Sequence, residues 1–393
     1  MDIRGFRLTQ APEAFIDDPY PYYAALREQA PVHEMEPGSY FVSRYEDVVA
    51  IYRHAAASSD KKLEFKPKFG DSPLYEHHTT SLVFNDAPLH TRVRGLITGA
   101  LNQRAIAKME AGVVALVDRL IDAFEPRIDF IDAFAARIPV EVIGNLLDIP
   151  REERGPLRAW SLAILSGLEP RPTPEMLERG NRAVSEFKDY LARLVEARRR
   201  APGDFDTDVL TRLVQEKTIS ALELYHNCIF LLNAGHETTT NLIGNGLWLL
   251  IKNSTLEKLK SQPTLIPSAV EEMLRYEGPI QLNNRRLLET LEIGGKVLPE
   301  GSLLTLGIGA ANRDPRQFPD AERFDVARKP NRHVAFGHGD HACAGMNVAR
   351  MEARIAFGRL LQRCTRLELA GAPERDRRIR FRGFRKLPVQ VQV

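Results

Sequence analysis

Cys343 stands in the segment Phe336-Gly-His-Gly-Asp-His-Ala-Cys-Ala-Gly345, directly ahead of the amphipathic run MNVARMEARIAF. Gly337 and Gly339 permit a tight turn with close backbone approach. The run that follows puts the cysteine at a helix N-terminus, where unpaired N–H groups and the helix dipole favour thiolate over thiol. On haem iron a thiolate pushes electron density toward bound oxygen and favours O–O cleavage. Gly345 would let a flat macrocycle lie against the helix start. Two other readings stay open on these residues alone. A lone cysteine is often a small buried hydrophobe, as Cys228 and Cys364 are read. His338, His341 and Cys343 could also bind zinc, although no fourth ligand has suitable spacing.

A second set of reactive residues is Ala234-Gly235-His236-Glu237-Thr238-Thr239. An acid beside an alcohol can relay protons to a bound oxygen species. The small pair before them, with the threonines, suggests a kinked or π-widened helical turn. The alternative is a polar patch whose threonines bond back to the previous turn. Glu272 and Arg275 lie three apart, a spacing that by itself gives a weak helical ion pair.

The elements that must position these groups are mostly helical. LNQRAIAKMEAGVVALVDRLIDAF and NRAVSEFKDYLARLVEARRR repeat apolar residues at spacings of three and four. Ser220 and Glu223 form a capping box that opens a long helix to about Lys252. PYPYYAALREQA reads as a helix, SYFVSRY as a strand, and Pro267 as a first-turn residue of a helix ending near Gly278-Pro279. Short strands follow in RLLETLEIGG and SLLTLGIG, and a last helix begins just after Cys343. The fold class is mainly α with a minor β component, in a single domain over 1–393. A net charge of +2 gives no bulk attraction to nucleic acid. Three cysteines make no disulfide framework. No signal segment is present, nor the roughly 18 apolar residues of a membrane span. A cytoplasmic protein with no membrane contact is expected.

The cysteine segment resembles the cytochrome P450 signature F-G-x-G-x-[HR]-x-C-x-G at every fixed position. Ala234–Thr239 is similar to that family's oxygen-activation motif, [AG]-G-x-[DE]-T-T, and the likeness runs from DPYPYYAALREQAPV to FRGFRKLPV. The resemblance implies the cytochrome P450 fold, with haem b (iron protoporphyrin IX) as cofactor and Cys343 as the iron ligand. Phe336 and Gly337 would flank the sulfur, Ala234 and Gly235 would lie over the haem, and Glu237 and Thr238 would be catalytic. It further implies His90, Arg94, Arg285 and His333 as propionate partners, and a structural triad of Glu272, Arg275 and Arg323. Departures are Val348, where leucine is usual, and the pair Asn283-Asn284 before Arg285, whose direction stays open.

The implied activity is hydroxylation or O-dealkylation of a small organic substrate. No Gly-x-Gly here sits in a dinucleotide-binding unit, so electrons would come from a ferredoxin or flavodoxin-type donor with its reductase. Arg350, Arg354, Arg359, Arg363, Arg366 and RDRRIRFRGFRK form a candidate docking patch for that donor, against the reading of a solvated charged face. A peroxide-driven or NO-reducing enzyme and a non-catalytic haem sensor are the rival functions. A monomer is expected. The loop around 60–84, the stretch near Ala163–Leu168, Phe230–Ala234, Pro279–Asn283 and Arg382–Phe384 would line the substrate pocket. Within the first of these, Lys61, Lys62, Lys66 and Lys68, with Ser59, Tyr75, His77 and His78, raise a carboxylic acid as substrate. The competing view is that these lysines sit in a mobile loop and face water.

Overall fold

The computed structural model describes residues 1–205 and 208–393. Its axis is the central helix Ala221–Lys252, which starts where the capping box requires. The Glu223 amide donates to Ser220 Oγ at 3.2 Å, and the Ser220 amide donates to the Glu223 carboxylate at 2.8 Å. Two amides that a first turn leaves unpaired are thus satisfied. Most side chains from Leu224 to Leu250 are buried. Helices Arg137–Leu146, Leu157–Ser166, Pro174–Arg200, Ile266–Tyr276 and Met346–Arg363 all pack against this helix. Close approach is needed at Gly235, where a Cβ would come within 2.5 Å of Ile143 Cδ1. Among the described residues no helix is long and apolar enough to cross a membrane.

A five-stranded sheet forms one flank, in the spatial order Val32–Glu36, Ser39–Val42, Leu303–Gly307, Leu282–Leu287, Ala57–Ser58. The strand Leu282–Leu287 runs antiparallel to Leu303–Gly307, with Arg285 opposite Leu304. Alternation along a strand puts Asn283 and Arg285 on one face and Asn284 on the other. Accordingly Asn283 bonds the Tyr52 hydroxyl at 3.2 Å, and the Arg285 guanidinium lies 5.1 Å from the Tyr52 ring centre. Asn284 instead donates to Thr305 Oγ1 at 3.0 Å.

Three features differ from the sequence reading. The segment expected as a mobile loop around residues 60–84 contains two helices, Lys62–Phe69 and Pro73–Thr80. Ser72 caps the second, Pro73 opens it, and Phe65, Phe69, Leu74, His77 and His78 are buried. The central helix is not widened at Gly235–Thr239; it is α-helical throughout, and the π-helical turn lies instead at Ile131–Ala135.

The third difference concerns the triad. Glu272 and Arg275 form a fully buried bidentate pair, both bonds 2.8 Å. The third cation is Arg328, whose Nε donates to Glu272 at 3.2 Å. Arg323 is exposed and contributes only its backbone carbonyl, to Arg275 and Arg328. Arg328 fits because its other nitrogens meet the carbonyls of Pro319 and Asp320, which hold its fork toward the pair.

Removing one partner of a buried charge network typically costs about 3–5 kcal/mol, and an exposed side chain costs about 0.5 kcal/mol or less. Arg328→Ala should therefore lower the melting temperature by several degrees, and Arg323→Ala should barely move it. Equal losses in thermal unfolding would restore Arg323 to the triad.

Candidate active site

The cysteine loop is closed by a short hydrogen bond from the Cys343 amide to the Phe336 carbonyl, 2.8 Å long. Gly337 and Gly339 turn the chain with φ of 69° and 70°, which side chains rarely adopt. At Gly339 a Cβ would also lie 2.6 Å from the Tyr52 carbonyl oxygen, so the loop runs hard against residues 52 and 53. Arg53 Nε donates to His338 Nε2 at 2.8 Å, and the Arg350 guanidinium covers the Phe336 ring at 4.7 Å. The helix Met346–Arg363 then begins, with Gly345 as its cap.

Of the three cysteines, Cys228 and Cys364 are buried, and Cys343 alone is partly accessible. Burial pushes the Cys228 thiol up to about 12 and Cys364 up to about 11. The Cys343 thiol is also raised by burial, against the Gly345 amide, Arg94 and Arg350, which pull it down. The Gly345 amide at the helix start thus acts in the direction of thiolate, and a bound metal cation would act further that way, because coordination displaces the thiol proton.

On the central helix, Ala234 is exposed and Gly235 and Thr238 are partly so, although Asn233, His236 and Glu237 around them are buried. This helix has neighbours on several sides, so the open stretch is a gap in otherwise close packing. The absent Cβ of Gly235 points instead to Ile143. Thr238 Oγ1 donates back to the Ala234 carbonyl at 2.7 Å, the geometry of the back-bonding alternative. Thr240 does the same to His236 at 2.9 Å.

Glu237 forms a buried ion pair with Arg378, and its Oε2 has no hydrogen-bond partner. Burial pushes the Glu237 carboxyl up to about 7, against the pull of the Arg378 guanidinium. Arg378 also reaches Glu169 at 3.2 Å. Sequence reasoning missed Arg378 and Glu169, and placed the basic stretch near residue 380 on a docking patch, although Arg382–Phe384 was also read as pocket lining. Much of that stretch points inward. Arg375 and Arg382 bind the buried Glu277 at 2.8 and 2.7 Å, while Arg380 is tied to Leu168, Leu282 and Asn284.

The docking patch shrinks further at the cysteine helix. Arg350 pairs with Glu271, Arg359 and Arg363 pair with Asp118, and Arg366 pairs with Glu368. Arg354 is exposed and bonds only the Arg350 carbonyl.

The cations expected to face carboxylates of a cofactor are distributed unevenly. Arg94 donates to the Ala342 carbonyl at 2.6 Å, next to Cys343, and has no carboxylate partner among the described residues. Arg285 bonds the Asn284 carbonyl at 2.9 Å and likewise meets no carboxylate. His90 stacks on His341 with ring centres 3.8 Å apart, and its Nε2 lacks a partner. His333 is occupied: Nε2 meets Glu271 at 3.1 Å and Nδ1 accepts from the Ala335 amide. His341 was weighed only as a zinc ligand and not as a carboxylate partner, although the signature itself reserves that position for a basic residue.

These residues suit a flat iron macrocycle with two acidic arms. Cys343 is reachable, and a Cβ at Gly345 would meet no atom within 4 Å. Arg94, Arg285 and His90 offer donors without acids. No group of three or more His, Cys, Asp or Glu that could hold a metal ion occurs among the described residues, which removes the zinc alternative at His338 and His341.

The comparisons agree. The family model described as Cytochrome P450 matches residues 168–393. A cytochrome P450 of Bacillus subtilis (strain 168) is 34% identical over 373 residues, covering 91% of this chain and 90% of that protein. The cytochrome P450 monooxygenase PikC of Streptomyces venezuelae is 34% identical over 371 residues, 91% of this chain and 87% of its own length. The solved structure of P450BioI, in complex with acyl carrier protein ligated to hexadec-9Z-enoic acid, aligns with a TM-score of 0.92 at 33% identity. It covers 96% of this chain and 100% of that one. Identity of this level across nine-tenths of the sequence extends the likeness of two short motifs to the whole molecule, and the protein belongs to the cytochrome P450 family of haem-thiolate monooxygenases.

Proposed function

We propose that the protein, as one domain and a cytoplasmic monomer, hydroxylates or O-dealkylates a small organic substrate. Electrons come from a separate ferredoxin or flavodoxin-type donor with its reductase. The observation that carries this reading is the pairing of a buried acid, Glu237, with an adjacent alcohol, Thr238, on the open stretch of the central helix. A peroxide-driven relative or a haem sensor has no need of that pair.

Haem b supplies oxygen binding and activation when bound. Cys343 is its ligand, and Arg94, Arg285 and His90 are the donors for its carboxylates. His333 would join them only by leaving Glu271. Phe336 and Gly337 would flank the sulfur, Gly345 would leave room at the helix start, and Ala234 and Gly235 would lie over the haem. Proton movement falls to Glu237 and Thr238. A carboxyl titrating near 7 can both take and give a proton at neutral pH. Thr238 must turn its hydroxyl away from the Ala234 carbonyl to pass that proton into the gap in the packing there.

Thiolate ligation predicts that the reduced protein with carbon monoxide absorbs at the band typical of that ligand. Cys343→Ala should lose the band, and Cys228→Ala and Cys364→Ala should keep it; a band surviving in Cys343→Ala would remove the assignment. Thr238→Ala should leave haem and substrate binding intact while several-fold more oxygen flux leaves as peroxide. Unchanged coupling would return Thr238 to a purely back-bonding role.

At the donor face, Arg354→Glu should slow reduction by an acidic ferredoxin several-fold at low salt, with the deficit shrinking as ionic strength rises. Arg350→Glu and Arg359→Glu break internal ion pairs, so their losses should persist at high salt. Stopped-flow reduction of all three at two salt concentrations separates these outcomes. Wild-type rates for Arg354→Glu at low salt would place docking elsewhere.

A further inference from the structure

The four lysines near the pocket entrance are not equivalent. Lys61 pairs with Glu64 at 2.7 Å, Lys62 with Asp60 at 2.6 Å, and Lys66 with Asp71. Lys68 has no carboxylate partner among the described residues: its Nζ donates to the Glu169 carbonyl oxygen at 3.0 Å. Arg380 is in the same position. Its guanidinium meets the carbonyls of Leu168 and Leu282 at 3.0 and 3.2 Å and the Asn284 side-chain oxygen at 2.6 Å, all neutral.

The two cations are close enough to repel. Burial first, and Arg380 second, push the Lys68 ammonium down to about 8. The nearby acids are already engaged. Glu64 is held by Lys61, while Glu169 takes Arg378 and the backbone amides of Ile379 and Arg380. Both cations remain partly accessible. Two half-buried positive charges with neutral partners are costly unless an anion joins them.

The surroundings place this pair at the active site. Glu169 joins them: its carbonyl takes Lys68 and its carboxylate takes the amides of Ile379 and Arg380. On the other side Glu169 shares Arg378 with Glu237. His78, near both cations, has an unpartnered Nε2 and packs among Phe65, Phe69 and Phe84 at 5.4–5.6 Å.

We propose that the substrate is a monocarboxylic acid whose carboxylate is taken by Lys68 and Arg380, with its apolar body against the Phe65, Phe69 and Phe84 cluster. This rests on the monooxygenase reading and adds the substrate class to it. A planar guanidinium fork and an ammonium together match a carboxylate's two oxygens.

The test is binding to the holoenzyme by the shift of the haem absorption band, with benzoate, cinnamate and decanoate, each beside its primary amide. At least one acid should bind about 10- to 100-fold more tightly than its amide, the range of a charge-assisted contact. Lys68→Gln and Arg380→Gln should each shrink that ratio to about 3-fold or less. Arg380→Gln also removes three structural bonds, so Lys68→Gln is the decisive variant, and both must first show the carbon monoxide band. The anchor is overturned if no acid shifts the band, if acids and amides bind alike, or if Lys68→Gln keeps the full preference. Binding needs no electron donor, so a failure of the monooxygenase reading would show in turnover or in the carbon monoxide band instead.

Discussion

The hydrogen bond from the Cys343 amide to the Phe336 carbonyl is the constraint on which the site depends. It closes a loop whose two left-handed glycines leave Cys343 reachable at the head of a helix. The helix that follows packs on the central helix, whose neighbours leave Ala234, Gly235 and Thr238 open. If the loop bond is lost, the sulfur is no longer fixed relative to the helix that it heads.

Buried charge is the second organising force, and it serves two ends. In the Glu272–Arg275–Arg328 network one carboxylate answers two guanidiniums, whose remaining nitrogens are taken by backbone carbonyls, and the result is a fixed arrangement. Around Glu237 the compensation is incomplete. Arg378 divides itself between Glu237 and Glu169, one oxygen of Glu237 lacks a partner, and the carboxyl is pushed up to about 7. Incomplete compensation costs stability and leaves groups free to exchange protons or bind charge, which is what a catalytic pocket requires. Arg94 and Arg285, which meet no acid among the described residues, are further examples of incomplete compensation.

Local chemistry was readable from sequence, and long-range pairing was not. The Ser220–Glu223 box, the glycines before Cys343 and the helix after it are each set by residues a few positions apart. Their structural form matches the reading. The triad failed at its third member because Arg323 and Arg328 are both arginines near the right place. Only the turn at Pro319–Asp320 decides which one faces Glu272. The tail arginines failed for a similar reason. Arg378 meets Glu237 across 141 positions, and nothing local distinguishes it from a solvated cation. Residues 60–84 read as a polar loop because lysines outnumber the few phenylalanines that bury it. The widened turn at Gly235 was inferred from composition, yet that glycine serves contact with Ile143.

Iron-edge X-ray absorption on the ferric holoenzyme examines the ligand itself. Thiolate ligation by Cys343 predicts one sulfur in the first shell of the wild-type iron, lost in Cys343→Ala and kept in Cys364→Ala. A first shell of nitrogen and oxygen only, or a sulfur that survives in Cys343→Ala, would contradict it.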